Sequence, residues 1–542
     1  MQIKDNTRYV FACIIMLIVA FIQCYKTVHD LHWASEPDFD RDIAYIRATL
    51  NGHYGQDPSM AGQYMWYNPI IFLSETLFVK LSGWPINVVV ARCGAFLNLI
   101  NPIVFFIVLV KLFDYKTALA SLLCFIFLIA GNLPCWGAAT YSPWMVSDTA
   151  VQWLFFLSIL CCYKAFNSQK MGWFIVLGVV LGITFLGHSA PVFIMVFILL
   201  IMQGQRVLTA LKDKQYNLIG TYFLQGAATV IPFIIFAFPM LYYVYGKYHL
   251  HFVNRIILEC APGIFARKET FTLLKLNVTF SLIISIIGFI WFYKNFNNKV
   301  LRQLIWCWLW VTLIMYVYES AVPTVDKIIH HNLPDTIPAF HYFFYFKALQ
   351  SVFFGFGFIS LFNLLVQWQS KRSKKELSPQ LRNNIFVFAI LLYMLVYLPI
   401  YSTRWDFSDL RQEALNKEKE TDNIGVYDFI VKNVPLDNVL LCPHGLSLFP
   451  VMPTGIKMVS VETYFSNPYL SYDQREGDRV KMLNFLTSST PDTAKHMFSE
   501  YKVGNVLLAN ADYQYYHQPS FANSAVIYKN NSYTLLSFNI KQ

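Results

Sequence analysis

The chain contains no Walker loop, no dinucleotide-type glycine pattern and no HExxH signature, so nucleotide hydrolysis, nicotinamide chemistry and zincin-type proteolysis have no local support. Its ten cysteines show no metal-ligand spacing. Cys13, Cys24, Cys93, Cys124, Cys161, Cys162 and Cys307 stand in apolar windows, where a buried thiol is usually a small hydrophobe. Cys135, Cys260 and Cys442 fall outside, enough for one disulfide. Charge is also scarce. Only 14% of the residues are charged, against 56% hydrophobic and 17% aromatic, which excludes an ordinary soluble domain. A net charge of +10 would suggest nucleic acid in a soluble chain, but here the cations follow a membrane pattern, and nucleic acid is not expected as a partner.

Long apolar runs are what the chain has in abundance. A span needs roughly 20 mostly apolar residues, and window length predicts about eleven transmembrane helices. They lie near residues 9–25, 86–110, 117–133, 146–163, 172–186, 190–202, 218–243, 278–293, 304–318, 342–368 and 385–401. The first has the look of a secretory signal, but Cys24 and Tyr25 do not make a small-residue cleavage site, so it reads as a retained span.

With a cytoplasmic N-terminus, every second connection carries cations: Lys111 and Lys116, Lys164 and Lys170, Arg206 with Lys212 and Lys214, Lys294 with Lys299 and Arg302, and the run from Lys371 to Arg382. That is the positive-inside pattern of a multi-pass protein, with a bacterial inner or plasma membrane as its expected home. The other side then receives the long connections, among them 26–85, 245–277 and 319–341, and everything after Ser402.

Two modules follow: a membrane part, 1–401, with its first external loop at 26–85, and an extracytoplasmic α/β domain, 402–542. In the latter, "NVLLC", "KMVSV" and "GNVLLAN" read as strands, and "AVIYKNNSYTLLSF" reads as a hairpin turning at Asn530 and Asn531. The segments "YDFIVKN" and "DRVKMLNFL" between them have helical spacing. Mid-span glycines in "GFGF", Gly355 to Phe358, suit close helix packing.

The first external loop concentrates acid where the chain otherwise has little. Asp38, Asp40 and Asp42 precede "IAYIRATL", whose apolar residues share a helical face, with Asp38 or Asp40 at the N-cap position. Asp38, Asp42 and Tyr45 are spaced to share another face. Trp66 and Tyr67 then introduce a second apolar helix ending near Leu81. A carboxylate in such a place can act as general base for a hydroxyl, a role worth roughly 10²- to 10⁴-fold in rate; the plainer reading is a solvated helix cap.

Nucleotide sugars are cytoplasmic, so an external enzyme would draw sugar from a polyprenyl phosphate carrier. The leaving lipid phosphate would need cations. Lys247, His249, His251, Arg255, Arg267 and Lys268 in one connection, and Lys327, His330, His331, His341 and Lys347 around another, are the external candidates, with headgroup anchoring as their alternative role. His188 stands where a span reaches the outer face. Asp148 and Glu319 are acids near span ends and are functional suspects for that reason.

The first loop resembles the GT-C superfamily of integral-membrane glycosyltransferases. The acidic residues after the first span, then "YIRATLNGHYGQDP", then "YMWYNPIIFLSETLFVKLSGWP", are similar to the family's acidic pair, its alanine-containing helix ending in Leu-x-Gly, and its Tyr-x-Pro. "LGITFLGHSAP" and "IPAFHYFFYFKALQSVFFGFG" also resemble later segments, with His341 standing where the family has arginine. More narrowly, "TYFSNPYLSYDQREGDRVKML" is similar to a C-terminal segment of cell-wall arabinofuranosyltransferases, with Asp473, Arg475 and Glu476 at its charged end.

The resemblance implies an inverting transfer to a glycan, lipid or protein acceptor. Asp40 would be the base, or Asp38 or Asp42 in another register. His341, Lys347, Arg255, Arg267 and Lys268 would receive the lipid phosphate, and Tyr45, Tyr67 and His188 would line the acceptor or cavity side. Some relatives hold a divalent ion near the acidic loop, and clustered aspartates permit one, although one loop rarely completes a site. Competing classes are a transporter or flippase of lipid-linked glycans, which should show inverted repeats, and a non-catalytic glycan-binding scaffold.

Overall fold

Apart from 129–133, which lie outside the described residues, the apolar windows expected to span are largely helical in the computed structural model, which describes residues 2–35, 37–128, 141–253, 272–330, 339–487, 495–516 and 524–538. Eight of these helices are long and apolar enough to cross a membrane; Tyr115–Leu128, Met171–Gly187 and Phe280–Asn295 are shorter. Polar side chains punctuate them. Asp114 accepts from the backbone N–H groups of Lys116 and Thr117, and Ser378 accepts from that of Leu381 ahead of a helix opened by Pro379.

The chain divides into two units. Met1–His29, Arg92–Phe238 and Ala261–Asp409 form the membrane unit. Its helices approach closely where side chains are absent. A Cβ at Gly288 would run into the carbonyl of Phe353, one at Gly357 into that of Ile284, and one at Gly355 into the hydroxyl of Ser121. The glycines of the "GFGF" run therefore serve helix packing, as their position in a span suggests.

Asp30–Ala91, Pro239–Cys260 and Leu410–Gln542 form the second, sheet-containing unit. The first long connection thus belongs with the C-terminal domain in space. The five strands are β1 (Val439–Leu441), β2 (Lys457–Met458), β3 (Val503–Ala509), β4 (Ser524–Lys529) and β5 (Tyr533–Phe538), in the order β2-β1-β3-β5-β4. β1 runs parallel to β2 and β3, whereas β5 is antiparallel to β3 and β4. The β4–β5 hairpin turns at Asn530, whose backbone N–H returns to the carbonyl of Tyr533.

Alternation along the strands feeds two cores. Leu440, Met458, Leu507 and Leu535 enter one, with Val426 and Ile430. Val439, Leu441, Val506 and Leu536 enter the other, with Met482 and Phe485. Ala44 and Met60 of the first connection are buried in the former core, and the backbone N–H of Met458 bonds to the carbonyl of Ser59 at 2.7 Å. The helix carrying the aspartates runs Pro37–Leu50 and starts earlier than its apolar periodicity suggests. Proline fits the first helical turn, so Asp38 and Asp40 lie inside that turn and not at its cap, where the helix dipole still favours them.

Eight cysteines, Cys13, Cys24, Cys93, Cys124, Cys161, Cys162, Cys307 and Cys442, are free and buried. Cys135 and Cys260 lie outside the described residues.

Candidate functional site

The three aspartates of the Pro37–Leu50 helix have three different environments. Helical i, i+3 spacing brings Asp38 to Arg41, whose Nη1 donates to Asp38 Oδ1 at 2.5 Å, and the guanidinium also turns to its chain neighbour Asp42, its Nε and Nη2 donating to Asp42 Oδ1 at 3.2 and 3.1 Å. The guanidinium lies 3.5 Å above the Tyr67 ring. Asp38 remains 47% exposed and Asp42 only 3%. Burial pushes the Asp42 carboxyl up to about 6, with Arg41 opposing and the charge of Asp38 adding to the rise.

Asp40 faces elsewhere. Lys417 Nζ donates to both of its oxygens, at 2.7 and 2.8 Å, and packs over the rings of Phe449 and Trp33. Burial still holds the Asp40 carboxyl above its usual range despite that ammonium. Tyr45 stacks between Tyr67 and Phe72, with centroids 6.2 and 4.7 Å away.

A further carboxylate of this unit, Asp57, escaped the sequence reading. Its Oδ1 accepts from the backbone N–H groups of Ser59 and Met60, and its Oδ2 accepts from Asn467 Nδ2 at 3.0 Å. Asn467 Nδ2 also donates to the Tyr248 hydroxyl at 3.0 Å. The "Asn-Pro" segment therefore fastens the first connection to the sheet. Arg475 donates to the carbonyl of Val459, and Glu476 accepts from Ser460 and Arg479, so the charged end of that segment makes ties within the same unit.

In the membrane unit, Asp148 lies in the single turn Ser147–Ala150 that opens the helix Gln152–Ser168. His341 Nδ1, from the first turn of Phe340–Ser373, is 2.5 Å from Asp148 Oδ1, and His188 Nε2 is 3.2 Å from the same oxygen. The two rings are 4.8 Å apart. His188 joins Met171–Gly187 to Ser189–Lys212 and caps the latter, its Nδ1 accepting from the backbone N–H of Ala190 at 3.1 Å. One carboxylate and two imidazoles with ligand atoms within 4.8 Å have the donor chemistry for a zinc-like ion. Lys347, on the helix of His341, is fully buried, its Nζ 5.4 Å from the Phe343 ring centre.

The approach to Asp148 is held by a buried ion pair. Arg404 donates from Nε and Nη2 to the two oxygens of Asp406 at 2.8 and 2.6 Å. Asp406 accepts from Ser142 Oγ, and its carbonyl accepts from Trp144 Nε1. Asn98 Nδ2 donates to the carbonyls of Ser142 and Trp144. This bidentate pair fixes the backbone just before Asp148.

The predicted residues thus divide: Asp38, Asp40, Asp42, Tyr45 and Tyr67 belong to the sheet unit, and His188, His341 and Lys347 to the membrane unit. Arg255, Arg267 and Lys268 lie outside the described residues. Arg41 was within reach of sequence reasoning, since Asp38 and Arg41 have ion-pair spacing on a helix. Lys417, 377 positions from Asp40, left no local signal.

No protein-family profile and no curated protein matches the chain. Solved structures do. ArnT from Cupriavidus metallidurans bound to undecaprenyl phosphate is similar over 97% of both chains, with a TM-score of 0.53 at 11% identity. The apo oligosaccharyltransferase of Archaeoglobus fulgidus is similar over 92% of this chain and 69% of its own, with a TM-score of 0.51 at 11% identity. At such identities the likeness is one of fold. That fold is the one the resemblance of the first loop led us to expect, a multi-helix membrane fold shared with ArnT and the oligosaccharyltransferase.

Proposed function

We propose that the chain is a membrane glycosyltransferase, which moves a sugar from a polyprenyl phosphate carrier to an acceptor hydroxyl outside the cytoplasm, with inversion. The observation that carries the reading is Asp38: within the GT-C architecture, it is the open carboxylate of the acidic helix, gripped by a guanidinium that Asp42 and Tyr67 hold from behind. A general base must be reachable before its basicity matters. Asp40 has both oxygens on Lys417, and Asp42 is buried, so the role passes to Asp38.

Asp38 takes the proton of the acceptor hydroxyl as its oxygen bonds to the anomeric carbon. The bond from that carbon to the phosphate oxygen breaks, and its electron pair leaves on the lipid phosphate. A bilayer-bound carrier suits a chain with this many apolar helices, and the structural relative seen with undecaprenyl phosphate is consistent with that class of donor.

The test uses the full chain in lipid nanodiscs with a panel of prenyl-phosphate-linked sugars, and mass spectrometry reads the prenyl phosphate released. Asp38→Asn should lower turnover by about 10²- to 10⁴-fold with the donor still bound. Turnover equal to that of the unaltered protein would remove Asp38 as the base.

A further inference from the structure

Asp148 keeps 3% of its side chain exposed, and a carboxylate so deeply buried holds its charge only against a matching cation. Among the described residues its ion-pair partners are His188 and His341. The two rings are not equivalent. A backbone N–H can only donate, so the 3.1 Å contact from Ala190 N requires a lone pair on His188 Nδ1. The proton of His188 then sits on Nε2, facing Asp148, and the ring is neutral. His188 orients the carboxylate without cancelling its charge. That charge is left for His341, whose Nδ1 is in close hydrogen-bond contact with Asp148 Oδ1 at 2.5 Å.

We propose that Asp148 and His188 are positioning residues that hold His341 as an imidazolium, leaving its Nε2–H, which bonds to none of the described residues, to donate to an anion of the phosphate ester class. Identifying that anion as the prenyl phosphate of the donor rests on the transferase reading above. The same atoms have the chemistry to grip a divalent ion, but two ligands on one tetrahedral ion with bonds of about 2.0–2.1 Å stand about 3.3 Å apart, well beyond the 2.5 Å between His341 Nδ1 and Asp148 Oδ1. Metal on His188 Nε2 would also drive its proton onto Nδ1, against the N–H of Ala190. The hydrogen-bonded arrangement therefore favours a proton over a metal between Asp148 and His341.

The experiment uses the full chain with ¹⁵N-histidine in nanodiscs, reading ring protonation by solid-state NMR and binding of undecaprenyl phosphate and of inorganic phosphate. In the unaltered protein one doubly protonated ring, absent from His341→Gln, is expected, and Asp148→Asn should convert it to a neutral ring. Both variants should bind undecaprenyl phosphate about 10- to 100-fold more weakly, the loss of one hydrogen bond to a charged group. His188→Asn retains a capping acceptor and should weaken binding less.

A neutral His341 in the unaltered protein overturns the proposal, whether or not any variant folds. So does undecaprenyl phosphate binding that neither Asp148→Asn nor His341→Gln weakens, an outcome that leaves the transferase reading standing. Tight zinc, removed by chelation together with the ring signal, would make the cluster a metal site and overturn it too. If inorganic phosphate shifts the His341 signal and undecaprenyl phosphate does not, the imidazolium stands and the lipid-donor reading falls.

Discussion

The acidic helix Pro37–Leu50 and the Asp148 cluster both bury carboxylates, but with different partners. In the sheet unit Asp40 has an ammonium on both oxygens, and Asp42 shares the guanidinium of Arg41 with Asp38. In the membrane unit the described partners of Asp148 are two imidazoles. Lysine and arginine stay charged throughout the physiological range, so their pairs hold architecture. Imidazole gains and loses its charge near neutrality, so a carboxylate matched by histidine can take part in a change of charge. The difference separates acids matched by a fixed charge from an acid matched by groups that titrate near neutrality.

The strongest way to break this contrast is to remove the ammonium from Asp40. Lys417→Ala would leave a buried, unpaired carboxylate, with Glu420 adding like charge, at a cost of about 3–5 kcal/mol. Replacing both partners with apolar residues, Lys417→Met with Asp40→Leu, should recover most of the loss, since a well-packed hydrophobic pair can substitute for a buried ion pair. Denaturant unfolding of the full chain reads both. If Lys417→Ala unfolds like the unaltered protein, Asp40 is not structurally tied and returns as a candidate base.

What the sequence made legible follows the range of the signals. Span positions, the β4–β5 hairpin at Asn530 and the packing glycines around Gly355 rest on runs of neighbouring residues, and periodicity registers these. The acidic helix was legible as a helix, but its start was misplaced, because Pro37 can open a turn that apolar spacing does not announce. Asp38, Asp40 and Asp42 look alike in sequence. Their partners separate them, and for Asp40 the partner is 377 residues away. The same limit hid the contact of Asp148 with His341, 193 positions apart, although each had been marked separately. The tie between Asp57 and Asn467 is longer still, at 410 positions.

A middle-sized effect should come from Asp42, whose carboxyl titrates near 6 in the folded protein against about 4 when unfolded. The folded state therefore binds this proton more tightly. The contribution to stability is fully present below the unfolded value, and it is lost as pH rises through about 6. Asp42→Asn removes the titration, so the stability of the unaltered protein relative to this variant should rise by about 2 kcal/mol between pH 7 and pH 4. A pH-independent difference in denaturant midpoints would mean that Arg41 outweighs burial at Asp42.

The smallest effect isolates burial from geometry. Arg411 donates from Nη1 and Nη2 to the two oxygens of Asp30 at 2.7 and 2.8 Å, as forked as the pairing of Arg404 with Asp406. The side chains of Arg411 and Asp30 are 26% and 46% exposed, whereas those of Arg404 and Asp406 are 1% exposed. Water and salt screen the open pair, so Arg411→Ala should cost about 0–1 kcal/mol, and the difference should shrink further at high ionic strength. A loss as large as that expected for Lys417→Ala would show that bidentate geometry, with no help from burial, is enough to make an acid structural. Asp38, also bound to an arginine yet half open, would then have to be counted among the acids that hold the fold.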